Sequence, residues 1–315
     1  PWIKPIASLL AAFWLAACGG VTLMSAADEA RIGAKQHPQI IKEFGGVYDD
    51  PKVTAYVEHV LARITATLDN PVHAYRITVL DTPIVNAFAL PGGYTYVTRG
   101  LLALANSEAE LAGVIGHEIA HVTARHGARR QTAAVGTAVL AGVLGTAISI
   151  GTGVSADVTG ELLNVGGGLL LAGYSRDNEY EADNLGIAAM AKAGYDPLAQ
   201  ADFLAALGAY AKYQSGGKAQ KASWFASHPN NKQRVARARD TAKAQNITTA
   251  AQRHADRHMM AVQGLAFGDG PKQGVVMGQR FAHADLGLAF EVPRGFALVN
   301  TKHRVMAEHA NGVQI

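Results

Sequence analysis

The chain is 315 residues long, 49% hydrophobic and 17% charged, with a formal net charge of +3 and a single cysteine. Such a composition supplies a packed core and excludes global disorder, while one cysteine excludes an internal disulfide. The densest basic stretch, from Lys232 to Arg239, is spaced like the wet face of a helix, so no nucleic-acid partner is expected.

In chain order, the first element is an apolar run from Ile6 to Ala17, preceded by Lys4 and closed by Cys18. The run is too short to span a bilayer and reads as a signal-peptide core, making residues 1–17 a signal peptide. Leu15-Ala16-Ala17-Cys18 resembles the bacterial lipobox, whose cysteine is lipid-modified and becomes the mature N-terminus; Gly19 resembles lipoproteins delivered to the outer membrane. The alternatives are an ordinary signal peptide cut nearby and an anchor helix with an incidental cysteine. Pro1 is not a natural start, so the stretch ahead of the run is expected to be clipped. The expected location is the bacterial cell envelope, with the protein facing the periplasm, lipidation at Cys18, a lipid-borne attachment to the outer membrane, and residues 18–27 as a linker.

Asp28 to about Asp69 reads as helices, with a break around Gly45-Gly46 and Asp49-Asp50-Pro51. Arg76 to Leu80 alternates as a strand, and Phe88 to Leu90 and Tyr94 to Thr98 flank Pro91-Gly92, the pair preferred at the centre of a type II turn. A hairpin is expected there. Ser107-Glu108-Ala109-Glu110 then forms a capping box for a helix with apolar positions Leu111, Val114, Ile115, Ile119 and Val122, and Gly127 as its stop.

On that helix lies His117-Glu118-Ile119-Ala120-His121. With 12 histidines in the chain, H-E-x-x-H is expected by chance roughly 0.02 times. Positions i and i+4 share a helix face, so both imidazoles can bind one Zn²⁺ while Glu118 reaches a water held by the metal. A catalytic zinc takes a third protein ligand. Gly127 excludes the class that places a histidine ten positions after the first, and His126 is out of phase with the 117/121 face, so it reads as a surface or capping histidine. The better source is Ser175-Arg176-Asp177-Asn178-Glu179-Tyr180-Glu181-Ala182-Asp183, leading into a helix that Gly194 and Pro197 terminate. Glu179 and Asp183 are again i and i+4; one can ligate while the other supports a ligand imidazole or the reacting groups. Glu181 points elsewhere on the helix and reads as a surface charge.

Between these motifs, residues 133–156 carry no charge. Their length suits a membrane span, but a single crossing would part His121 from Glu179, and the next apolar run, from Leu162 to Ala172, is too short and Gly-rich for a return. A helical hairpin near the cleft is the expectation. Lys212 to Ser223 reads as a mobile loop, followed by Trp224-Phe225-Ala226-Ser227-His228-Pro229 and Arg234. Beyond about residue 258, segments such as Leu286 to Pro293 and Phe296 to Val299 suggest short strands of a small second domain, truncated or incomplete at Ile315.

H-E-x-x-H, a distant E-x-E-A-D, and Asn86-Ala87-Phe88-Ala89-Leu90-Pro91-Gly92-Gly93 upstream together resemble peptidase family M48, the gluzincin metallopeptidases, over about residues 28 to 240. The resemblance implies an α+β, mostly α, fold with a small sheet beside the active-site helix, and so a zinc metallopeptidase domain at 28–250; the strand-rich unit at 258–315 lies beyond it. It implies one zinc per chain, held by His117, His121 and Glu179, with Asp183 as the supporting acid and Glu118 as general base. It also implies a substrate-pairing edge strand around Asn86, Ala87, Phe88, Gly92 and Gly93, with an ordinary hairpin as the alternative. His228 is expected either to cap the zinc as a removable fourth ligand, to donate to the tetrahedral intermediate, or to form a structural turn, with Arg234 orienting the site. The implied activity is endopeptidase quality control of misfolded or misassembled envelope proteins; the rival is a zinc-stabilised chaperone that does not cut.

Overall fold

The computed structural model describes residues 22, 24–69, 71, 73–133, 173–214, 228, 232–245, 251–270, 273–300 and 304–315. The expected signal segment, Cys18, the uncharged stretch from 134 to 156, the run from Leu162 to Ala172 and residues 215–227 and 229 lie outside the described residues.

Two helices open the fold. Helix α1 (Ala26–Glu43) starts in a capping box between Ser25 and Asp28, and α2 (Pro51–Thr65) starts on Asp50, whose carboxylate accepts from the amides of Lys52 and Val53 while Pro51 occupies the first turn. A three-stranded sheet follows, built from β1 (Arg76–Leu80), β2 (Ala87–Leu90) and β3 (Tyr94–Thr98) in the order β1-β3-β2. Strand β3 pairs parallel with β1 and antiparallel with β2, leaving β2 at an edge. At the β2–β3 turn Gly92 has φ of 86°, and a Cβ there would lie 2.5 Å from the Ala30 Cα, so the turn needs glycine both for its conformation and for the approach of α1.

After the short α3 (Arg99–Leu104) comes α4 (Glu108–Thr123), buried at every position from Glu108 to Val122. A helix enclosed on all sides is the centre of its domain, not an amphipathic surface element. The Ser107 hydroxyl accepts from the Glu110 amide as expected, but the Glu110 carboxylate reaches the Asn106 amide at 2.8 Å instead of closing the box on Ser107. Nor does Gly127 stop the helix. α4 ends at Thr123, Arg125 takes the left-handed conformation at φ 55°, and residues 126–133 resume a helix in a new direction.

Helix α5 (Arg176–Lys192) is capped by Ser175 and closes in a Schellman motif: Gly194 has φ of 80°, and the Tyr195 amide donates to the Met190 carbonyl at 2.9 Å. Helices α6 (Leu198–Gln214), α7 (Lys232–Lys243) and α8 (Ala255–Val262) complete the helical layer around α4 and α5. Lys212, Tyr213 and Gln214, expected to open a loop, continue α6 instead. The expected boundary at 258 falls inside α8, whose His258 is buried between the Tyr56 hydroxyl and the Leu102 carbonyl. Beside α8, Arg257 and Arg63 converge on the buried Glu108 carboxylate, which also accepts from the Tyr195 hydroxyl at 2.8 Å. This knot fastens α2, α8 and the end of α5 to the first turn of α4, where a carboxylate also suits the helix dipole. The strands β4 (Val275–Met277), β5 (Arg280–His283) and β6 (Leu288–Glu291) form one antiparallel sheet, and β7 (Phe296–Asn300) pairs with β8 (Val305–His309).

The site depends on the crossing of α4 with α5. A Cβ on Gly116 would lie 3.2 Å from the Gly186 carbonyl oxygen, and one on Gly186 only 2.9 Å from the His117 nitrogen. Backbone meets backbone here, which brings the face of α5 that carries Glu179 and Asp183 against the histidines of α4. Gly186→Ala should therefore destabilise the protein by about 1–3 kcal/mol by overpacking, despite the better helix propensity of alanine. An unchanged or higher urea midpoint would contradict this crossing.

Candidate metal centre

His117 and His121 stand one turn apart on α4, with Nε2 atoms 3.0 Å from each other. From α5, the Glu179 carboxylate comes within 3.5 Å of both, Oε2 to His117 and Oε1 to His121. His228 adds its Nδ1, 3.2 Å from His117 Nε2 and 2.9 Å from Glu179 Oε1. One ligand atom from each of these four buried residues lies within 4.8 Å of the other three. Ligands at about 2.0–2.1 Å in a tetrahedron stand about 3.3 Å apart, so these spacings fit a zinc-sized ion. Three imidazoles and a carboxylate are also a donor set that zinc favours.

The charges point the same way. Glu118, Glu179 and Asp183 are buried, as is the one guanidinium among them, Arg234. Carboxylates packed this closely need compensation: Arg234 offsets part of the charge of Glu179 and Asp183, a divalent ion at the ligand set would offset the rest, and a buried charge without compensation is costly. Burial and the Arg234 guanidinium oppose a proton on His117, yet its bonds to Asp183 and Glu179 raise its pKa to about 9, so this place draws positive charge. For His121 burial wins and holds the imidazole neutral, the form a metal ligand requires.

Each carboxylate has a distinct setting. Burial pushes the Glu118 pKa up, and its Oε1, 3.4 Å from His228 Nε2, accepts no hydrogen bond from the described residues. Burial works against the Glu179 charge too, but His228, followed by hydrogen bonds from His117 and His121, keeps it well below the usual carboxylate range. Asp183, against the same burial penalty, is held to about 2 by Arg234, which grips it with Nε at 2.6 Å and Nη2 at 2.9 Å. Asp183 Oδ1 also lies 3.0 Å from His117 Nδ1, behind the ligand face of that ring. Gln200, not marked by any sequence signal, donates to the same oxygen at 3.2 Å. Arg234 further contacts Glu179 through Nη1 at 2.5 Å, so one buried arginine on α7 braces both acids of α5.

One expectation needs correction. His126 is fully buried, its Nδ1 2.8 Å from His121 Nδ1 and its Nε2 3.0 Å from the Glu181 carboxylate. Phase counting from His117 and His121 failed because the left-handed Arg125 ends the helix and resets the direction of the chain. Glu181 is half-exposed, as a surface charge would be, but it is paired with His126 and with Arg129 at 3.4 Å. A further neighbour, Tyr174, stacks on His121 with ring centroids 3.9 Å apart and planes at 19°; burial raises its phenol to about 12, so it stays protonated.

The expected edge-strand residues are spread over different tasks. Phe88 stacks on Tyr96 and touches Phe44 in a small core cluster, Ala87 belongs to the main core, and Asn86 is buried with its backbone bonded to Thr98. Gly92 and Gly93 shape the turn. Nearer the histidines, Ala89, Leu90 and Pro91 wall a small cavity together with His121 and Tyr174.

Residues 51–242 match Peptidase family M48. The mitochondrial metalloendopeptidase OMA1 of Schizosaccharomyces pombe is 34% identical over 212 residues, 66% of this chain and 59% of that protein. A beta-barrel assembly-enhancing protease of Yersinia pestis is 31% identical over 196 residues, 61% of this chain and 40% of the relative. The mitochondrial metalloendopeptidase OMA1 of Arabidopsis thaliana is 37% identical over 161 residues, 51% of this chain and 30% of the relative. The chain thus spans less than two thirds of the length of each of these relatives. With the match covering more than half of the chain and both helices of the candidate metal centre inside it, this protein belongs to peptidase family M48.

Proposed function

We propose that this chain carries the catalytic machinery of a zinc-dependent endopeptidase of the bacterial cell envelope, which hydrolyses misfolded or misassembled proteins. The observation behind this reading is the buried set of His117, His121 and Glu179 beside a Glu118 carboxylate whose Oε1 accepts no hydrogen bond from the described residues. Zinc, when bound, supplies a Lewis acid that polarises the scissile carbonyl and lowers the pKa of its water to about 7. Glu118 takes the proton of the attacking water and delivers it to the leaving amine; its raised pKa brings it closer to the working pH, where such transfer is most efficient. Asp183 fixes the His117 ring through Nδ1, and Arg234 holds Asp183 and Glu179 in register. His228, the fourth donor, caps the site and must swing away for substrate to enter. The outer backbone edge of β2 remains for an extended substrate, which would give little sequence selectivity.

The envelope assignment is supported by the lipobox-like segment ending at Cys18 and by relatives named beta-barrel assembly-enhancing proteases. Among the described residues no helix is long and apolar enough to cross a membrane. The mass of the mature N-terminal peptide tests this: acyl chains on Cys18 are expected, and an unmodified cysteine refutes the anchor. A binding module without proteolysis has no need of a general base at position 118, which weighs against a chaperone.

Glu118→Gln should keep one zinc per chain while casein cleavage falls about 10²–10⁴-fold, the usual contribution of general acid–base catalysis. Glu179→Ala should lose both the metal and the activity. Full activity in the first variant, or tight stoichiometric zinc in the second, would refute the roles assigned here. For His228→Ala, the cap predicts faster cleavage of casein at nearly unchanged zinc content; slower cleavage at unchanged zinc would instead make His228 a donor to the tetrahedral intermediate.

A further inference from the structure

His121 has a partner behind it that differs in kind from that of His117. The His121 Nε2 faces the cluster, 3.0 Å from His117 Nε2 and 3.5 Å from Glu179 Oε1, so the opposite nitrogen, Nδ1, points away from the site. There it meets His126 Nδ1 at 2.8 Å, and His126 Nε2 meets Glu181 Oε2 at 3.0 Å. We infer that His126 and Glu181 are positioning residues: a relay that fixes the tautomer and the ring orientation of His121. This rests on the reading of His121 as a zinc ligand.

Proton accounting leaves one consistent arrangement. Glu181, as a carboxylate, only accepts, so His126 must carry its proton on Nε2 and present a bare Nδ1. The bare Nδ1 accepts from His121 Nδ1–H, and His121 is left with a lone pair on Nε2, facing the cluster. The reverse arrangement would set two lone pairs against each other at the Glu181 end and put a proton where the metal binds. Glu181 therefore selects the ligand form of an imidazole with which it has no contact of its own. His117 gets the same service directly, from Asp183 on its Nδ1 at 3.0 Å.

The local fold is built for this contact. Arg125, in the left-handed conformation, donates to the Met24 carbonyl and pairs with the buried Glu29 at 3.3 Å, which holds the bend that turns His126 back onto His121. Tyr174 covers the face of the His121 ring, so rotation of that ring is blocked by stacking and by the relay together. Glu181 reaches the relay from a half-exposed position on α5, where substitution leaves the core intact.

The test measures zinc affinity of the full chain by competition with a chromophoric chelator, beside the electronic spectrum of the Co²⁺-substituted protein. His126→Ala and Glu181→Ala should raise the zinc Kd by about 10–100-fold, the usual effect of losing an outer partner of a ligand imidazole. Glu181→Gln retains an acceptor oxygen and should restore most of the affinity. Glu181→Lys can only donate to His126 Nε2, which enforces the wrong tautomer, so it should bind zinc more weakly than Glu181→Ala and shift the Co²⁺ bands further. A merely structural role predicts equal losses for Ala and Lys, following the melting point of the metal-free protein. Wild type that binds zinc, with Glu181 variants within twofold of it, would overturn the relay alone; wild type that binds no zinc would overturn the metal centre and the relay with it.

Discussion

Everything at the centre of this protein depends on two helices touching without side chains between them. At Gly116 and Gly186 the backbones of α4 and α5 meet, and a Cβ on Gly186 would stand 2.9 Å from the His117 nitrogen. Glycine inside a helix costs up to about 1 kcal/mol relative to alanine, and that cost is accepted on both partners. In return, Glu179 and Asp183, two turns and one turn before Gly186 on the same face, come within reach of histidines fixed by α4. Wider spacing would leave the carboxylates out of range of a common ion.

That closeness creates an electrostatic problem whose solution defines the site. Three acids are buried among imidazoles, and ionised groups in such a place must be paired. Arg234 compensates part of the charge and fixes the geometry of two acids, leaving room for a divalent ion at the ligand set. Glu118 differs from its neighbours because Arg234 does not grip it, and burial alone dominates its pKa. One site thus holds carboxylates of opposite tendency, ionised ones that bind and one that can exchange a proton.

Much of this was legible in the sequence, for reasons specific to each residue. His117, His121, Glu179 and Asp183 show themselves by i,i+4 spacing on capped helices, a local geometry that tertiary packing does not alter. The strands at 76–80, 87–90 and 94–98 follow from alternation and the Pro91-Gly92 turn. His126 was hidden because phase counting assumes an unbroken helix, and a left-handed arginine gives no sequence signal of the kind a glycine does. Arg234 entered only through the family resemblance: its basic neighbours read as a wet helix face, and its partners come from α5, far away in sequence. Tyr174 and Gln200 owe their positions wholly to tertiary packing. Phe88, chosen for its place near the site, went to the small core under the sheet because its ring points to the other side of β2.

The most direct test of a zinc centre formed by α4 and α5 is anomalous diffraction at the zinc edge from crystals of the purified chain. The account predicts one strong peak about 2.0–2.2 Å from His117 Nε2, His121 Nε2 and a Glu179 oxygen, with Asp183 and His126 outside bonding distance. A peak at any other set of side chains, or none in protein that cleaves casein, would contradict it.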